Sequence, residues 1–99
     1  MVVVVFRTRL RPDADLALLG ALGKRMYGLA STMPGFRSYK EYAASDGEGL
    51  ALIEFETLED TARWREHAEH RAAQEQGRQS FFLEYRIQVC EQVREHRGP

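Results

Sequence analysis

Val2-Val3-Val4-Val5-Phe6 is an unbroken run of β-forming residues, the pattern of a strand buried on both faces. Beyond Phe6 the chain alternates, with Arg7, Arg9 and Arg11 on one side and Thr8 and Leu10 on the other. We read Met1–Arg11 as the first strand. The period then changes. Leu16, Leu19, Leu22, Met26, Leu29 and Met33 recur at steps of three and four and form one apolar stripe. This predicts a helix over Pro12–Met33, with Asp13 as N-cap and Asp15 in the first turn, where the helix dipole favours it. Gly20, Gly23 and Gly28 each cost up to ~1 kcal/mol in a helix interior. Close packing against a sheet is the expected reason for some of them. Met33-Pro34-Gly35-Phe36 ends the helix and turns the chain.

Phe36–Ala44 and Gly49–Glu56 read as two strands around Asp46-Gly47, a strong hairpin signal. A two-residue loop would pair Arg37 with Glu56, Tyr39 with Glu54 and Glu41 with Leu52. Thr57–Gly77 reads as helical, opened by Thr57 with Asp60 three residues on. A break near Ala68 would divide it, and Gly77 would end it. Phe81–Val93 carries the cleanest alternation in the chain. Phe81, Leu83, Tyr85, Ile87, Val89 and Val93 lie on one face, and only Phe82 and Cys90 are apolar on the other. The order is β-α-β-β-α-β, which specifies a ferredoxin-like α+β fold: a four-stranded antiparallel sheet with its helices on one face. Bulky apolar residues fall on both faces of several strands. The face away from the helices is therefore expected to be covered, most simply by a second copy of the chain in a homodimer.

Composition narrows the classes. The chain has 99 residues, 43% hydrophobic and 29% charged, with a formal net charge of −1. This fits one domain, placed at residues 1–93, followed by a polar tail, 94–99. Near-neutral charge gives no electrostatic footprint for nucleic acid or an anionic membrane. No apolar run approaches the ~18 residues of a membrane span. No basic stretch precedes Val2–Phe6, so a signal peptide is not expected and a cytoplasmic location is. The single cysteine, Cys90, excludes an internal disulfide framework and reads as a small strand residue.

The densest chemistry lies between Trp64 and Arg78. Two of the three histidines, His67 and His70, stand here beside the only tryptophan. On a continuous helix the spacings 64, 67, 70 and 70, 74, 78 allow a pocket wall. Trp64 would be an apolar plate, His67 and His70 would titrate near neutral pH, and Gln74 and Arg78 would orient a ligand. The same spacing fits an amphipathic helix with Trp64 in the core and the histidines at its edge. A metal held by His67 and His70 would need a third ligand that the pattern does not supply. His96 lies in the tail. Gly-rich phosphate loops, G-x-S-x-G and H-E-x-x-H are absent.

These features together resemble the antibiotic-biosynthesis monooxygenase (ABM) family of dimeric α+β barrels. The resemblance rests on Val2–Phe6, on Met33-Pro34-Gly35-Phe36 with Tyr39-Lys40, on Asp46-Gly47-Glu48, on Trp64…His67…His70…Ala73, and on the closing strand with Tyr85 and Val89. It implies a homodimer in which each subunit keeps a pocket between sheet and helices. It also implies oxygenation of an aromatic polyketide, phenol or quinol by O2 with no metal or flavin. Trp64, His67 and His70 are then the candidate catalytic residues. Phe6, Phe36, Tyr39, Phe55 and Tyr85 are candidate walls, with Gln74 and Arg78 as further substrate-binding residues. Related members degrade haem, with an Asn near the end of the first strand and a haem-ligating His ten residues after the Trp. Here those positions offer Phe6-Arg7 and Gln74, which disfavours that mechanism. The alternatives are a non-catalytic ligand-binding or stress-associated dimer and a metal- or haem-dependent variant.

Overall fold

A computed structural model describes residues 1–99. The elements run β1 (Val2–Leu10), α1 (Leu16–Thr32), β2 (Phe36–Ala43), β3 (Gly49–Phe55), α2 (Leu58–Glu66), α3 (Ala68–Gln76), a π-helical turn (Gly77–Phe81) and β4 (Phe82–Glu91). The four strands form one antiparallel sheet in the order β2-β3-β1-β4. This is the expected ferredoxin-like α+β fold, with the second helix divided in two.

One face of the sheet is the core. Val4 stands opposite Ile53 on β3 and Val89 on β4. Val4, Ala51, Ile53 and Phe55 pack with Ala30 of α1 and Trp64 of α2 into one buried cluster. A second cluster joins the helices to each other: Leu22 and Met26 of α1 meet Ala73 of α3 and Phe81 of the π-turn. On the opposite face Val3, Val5, Leu50 and Leu52 are only half-buried. Toward one end of that face, Arg7 makes a two-pronged contact with Glu48 at 3.0 and 3.2 Å, and Arg9 reaches Asp46 at 2.9 Å.

Several local expectations change. Helix α1 begins at Leu16, capped by Asp15, whose side chain accepts from the N–H groups of Ala17 and Leu18. Asp13, the expected cap, instead pairs with Arg11 at 3.1 Å. The hairpin has a longer loop, closed by the Ala44 N–H to the Glu48 carbonyl at 2.9 Å. The register consequently slips by one, pairing Tyr39 with Ile53 and Glu41 with Ala51. A bulge between Phe36 and Ser38 lets Arg37 still reach Glu56, at 2.7 Å. In β4 a bulge opposite Arg9/Leu10 breaks the alternation. Phe82 thereby turns to the helix side, edge-on to Phe6 at 5.6 Å, while Leu83 is left 67% exposed. Phe81 belongs to the π-turn, and the strand stops at Glu91. The helix glycines are not explained by close packing: a Cβ on Gly20 or Gly28 would meet nothing within 4 Å.

Candidate functional site

The site is made by the interruption between α2 and α3. Thr57 caps α2, its Oγ1 accepting from the Asp60 N–H at 3.0 Å, and the helix carries Trp64 into the core. His67 then adopts an extended conformation (φ −61°, ψ 135°). Its N–H still bonds the Trp64 carbonyl at 3.2 Å, closing α2, and its Nδ1 accepts from the Glu69 N–H at 3.1 Å, opening α3. One residue therefore ends one helix and caps the next, which is why the break falls there.

This break decides the geometry. On one straight helix, residues six apart would lie about 120° apart around the axis. Instead the His70 imidazole stacks on the Trp64 indole, with centroids 4.1 Å apart and planes 27° apart. Trp64 Nε1 and His70 Nδ1 are both buried without a hydrogen-bond partner. An unmet buried polar atom costs roughly 1–3 kcal/mol, so the stacked pair is held against a real energetic penalty. Burial lowers the His70 pKa below its ordinary 6.5, the Arg65 carbonyl opposes this, and nearby His67 reinforces it. The imidazole is thus neutral at pH 7 and able to accept a proton. Tyr39, edge-on to Trp64 at 6.5 Å, has its phenol pushed up to about 12 by burial and then by Glu41. It stays protonated.

Both rings line a cavity of about 960 Å³ between the sheet and the helices. Its floor is Val4, Phe6, Ala51, Ile53, Ile87 and Val89, and α1 contributes Leu16, Leu19, Gly20, Gly23 and Tyr27. Of the residues singled out in the sequence, Trp64, His70, Phe6, Tyr39 and Gln74 line this cavity. The others stand elsewhere. His67 is committed to the helix junction. Phe36 and Phe55 form the layer behind, Phe55 lying 5.5 Å from Trp64 and 5.9 Å from Phe36. Tyr85 packs beside Phe6 and Phe82 at 6.3 and 6.2 Å. Arg78 is paired with Glu75 at the surface. Tyr27, 5.6 Å from Tyr39, was missed because on α1 it falls outside the apolar stripe. Gly20 and Gly23 were missed as liners, although three glycines in one helix were already a signal. No group of three or more His, Cys, Asp or Glu side chains is placed to hold a metal ion. Gln74 offers the cavity an amide, which does not fit the role of a haem ligand.

An antiparallel βαββαβ sheet with a largely apolar cavity under its helices, walled by a stacked Trp–His pair, defines a small ferredoxin-like α+β protein. The chain belongs to the antibiotic biosynthesis monooxygenase family, whose model matches residues 1–76. YqjZ, an uncharacterised protein of Bacillus subtilis (strain 168), is 32% identical over 71 residues, which are 72% of this chain and 62% of YqjZ. The match thus spans less than two thirds of that relative. Among solved structures, Rv0793 from Mycobacterium tuberculosis is 25% identical, with a TM-score of 0.83 over 95% of this chain and 96% of its own. SnoaB, a cofactor-independent oxygenase from Streptomyces nogalater, shares the fold at 12% identity, with a TM-score of 0.80 over 95% of this chain and 94% of its own.

Proposed function

We propose that the chain is a cofactor-independent monooxygenase that oxidises a phenol, quinol or aromatic polyketide with O2. The observation that carries this reading is the Trp64–His70 stack in the wall of a largely apolar cavity, each ring holding a buried nitrogen without a partner. His70 Nδ1 takes the proton of an acidic phenol or anthrone. The Trp64 Nε1–H donates to the resulting oxyanion, and the apolar walls exclude water. The ring carbanion gives an electron to O2, and the radical pair combines to form a C–O bond. The peroxide anion takes back the proton held by His70, and the hydroperoxide then eliminates water with the remaining hydrogen of that ring carbon, to leave a quinone. One oxygen atom enters the product and the other leaves as water.

An oxygen electrode with an anthrone as substrate tests this. Protein-dependent uptake that falls at least a hundredfold, roughly, in Trp64→Phe and His70→Asn supports the assignment. No uptake across a panel of anthrones and quinols overturns it in favour of a ligand-binding, non-catalytic member.

The working unit in this proposal is a homodimer of residues 1–93, joined through the open sheet face and located in the cytoplasm. The half-buried Val3, Val5, Leu50 and Leu52 support the interface. The one exposed, unpaired cysteine, Cys90, fits a reducing compartment. No helix is long and apolar enough to cross a membrane. Sedimentation should give twice the 11.4 kDa chain mass, and Val5→Asp should give the monomer. A wild-type monomer at micromolar concentration sinks the dimer.

A further inference from the structure

Helix α3 is held to the rest of the chain unevenly. Its C-terminal end is anchored. Phe81 is buried with Leu22 and Met26 of α1, and the Phe82 ring packs so closely on Gly77 that a Cβ there would lie 2.5 Å from it. Along the helix, Ala73 is the one buried residue. The N-terminal end is held at His67, whose Nδ1 accepts from the Glu69 N–H at 3.1 Å and whose carbonyl accepts from the Arg71 N–H at 3.0 Å. Yet α3 carries His70, Ala73 and Gln74 into the cavity wall. Freeing its N-terminal end therefore opens the cavity.

The chemistry of this cap differs from that of the usual ones. Ser, Thr, Asn and Asp keep a side-chain acceptor throughout the neutral range. An imidazole keeps one only while neutral, because the protonated ring carries N–H at both nitrogens. A protonated ring also sets a positive charge at the positive end of the helix dipole. Both effects act in one direction. The closed form then binds fewer protons than the open form, so a falling pH favours opening. The surroundings do not reverse this. His67 takes part in none of the ion pairs of the chain. Glu66 and Glu69 flank it in sequence without pairing with it. On α3 the titratable neighbour is His70, and the two rings repel when both are charged. Helix α1 meets α3 through the apolar Leu22 and Met26.

We propose that His67 is a pH-operated latch: the neutral ring holds α3 shut, and its protonation lets the N-terminal half of α3 swing on the π-turn, lifting His70 off Trp64 and opening the cavity. The loss of one cap changes a helix equilibrium by about fivefold, so the open form stays in the minority and becomes more frequent. The latch belongs to the empty protein and is independent of the oxygenase reading; only its consequence, faster exchange of ligand in acid, rests on that reading.

Amide hydrogen exchange without ligand tests the latch, read residue by residue and corrected for intrinsic rates. It is compared at about pH 7.5 and about pH 5.5, on either side of the range in which imidazoles titrate. The readout is the difference between wild type and His67→Asn, since Asn caps at both values and His70 titrates in both proteins. Protection of Arg71 and the rest of α3 should fall with pH in wild type by about fivefold more than in His67→Asn. Amides of β1 should show no such difference. His67→Ala, which has no cap to lose, should leave α3 poorly protected at both values. Equal falls in wild type and His67→Asn overturn the latch. So does a difference that spreads equally to β1, which would mark global destabilisation. If His67→Asn misfolds, His67→Ala decides: a fall as large as that of wild type overturns the latch, and a smaller one supports it.

Discussion

The His70 imidazole lies on the Trp64 indole with ring centroids 4.1 Å apart. The pair couples a titrating group to the sole fluorophore of its kind. Protonating His70 places a positive charge against the indole, so Trp64 emission should titrate with a midpoint below the ordinary imidazole value of 6.5, given the lowering caused by burial. His70→Asn should remove the transition. A midpoint at or above 6.5 would contradict the burial of the ring.

The same shift fixes a stability profile. The folded pKa of His70 lies below its unfolded value, so the unfolded chain binds more protons between the two. Stability from this group is complete above 6.5 and is lost as pH falls from there toward the folded pKa. Urea melts of wild type and His70→Gln should therefore diverge on the acid side of 6.5 and run parallel above it. Equal pH dependence in both proteins would sink the assignment.

Tyr39 acts at the other end of the scale with the opposite sign. Its folded pKa of about 12 exceeds the ordinary 10.0 because of burial. Its contribution is present below 10 and is lost as pH rises toward 12. Tyr39→Phe should flatten the alkaline limb of the stability curve. Spectroscopic titration should show a phenol ionising near 12 that is absent in Tyr39→Phe.

Gly35 and Asp60 form a steric lock at the entry to β2. Gly35 has φ +77°, and a Cβ there would lie 2.0 Å from Asp60 Oδ2. Gly35→Ala should cost about 3 kcal/mol in chemical denaturation, from left-handed backbone strain plus the clash. In Gly35→Ala/Asp60→Ala the clash should be partly relieved, giving a loss smaller than the sum of the singles. Additive losses would show that backbone strain alone is responsible.

His67 is assigned a cap and not a catalytic role. His67→Ala should cost about 1 kcal/mol, and His67→Asn should recover most of it, since Asn is a good N-cap. Both variants should retain ligand-induced Trp64 quenching. Loss of quenching in the Asn variant, with stability restored, would place His67 in the site after all.

What could be read from the sequence was whatever a short window of chain determines. The Val2–Phe6 run, the three-and-four stripe of α1, the Asp46-Gly47 turn and the Thr57 cap are local patterns. Each fixes an element through side-chain periodicity or one backbone bond, and their order fixes the ferredoxin-like fold. The family is legible for the same reason. Tertiary structure decided the rest. The hairpin register depends on a loop hydrogen bond between Ala44 and Glu48, which composition does not reveal. The facing of Phe82 depends on a bulge against β1. Trp64 and His70 meet only because His67 is extended, and a helical-wheel reading of 64, 67 and 70 assumes the continuity that His67 removes. The glycines of α1 signalled something unusual from the outset. Only the packed molecule showed that no part of the chain fills the space beside Gly20, because the position of a cavity depends on every element that surrounds it.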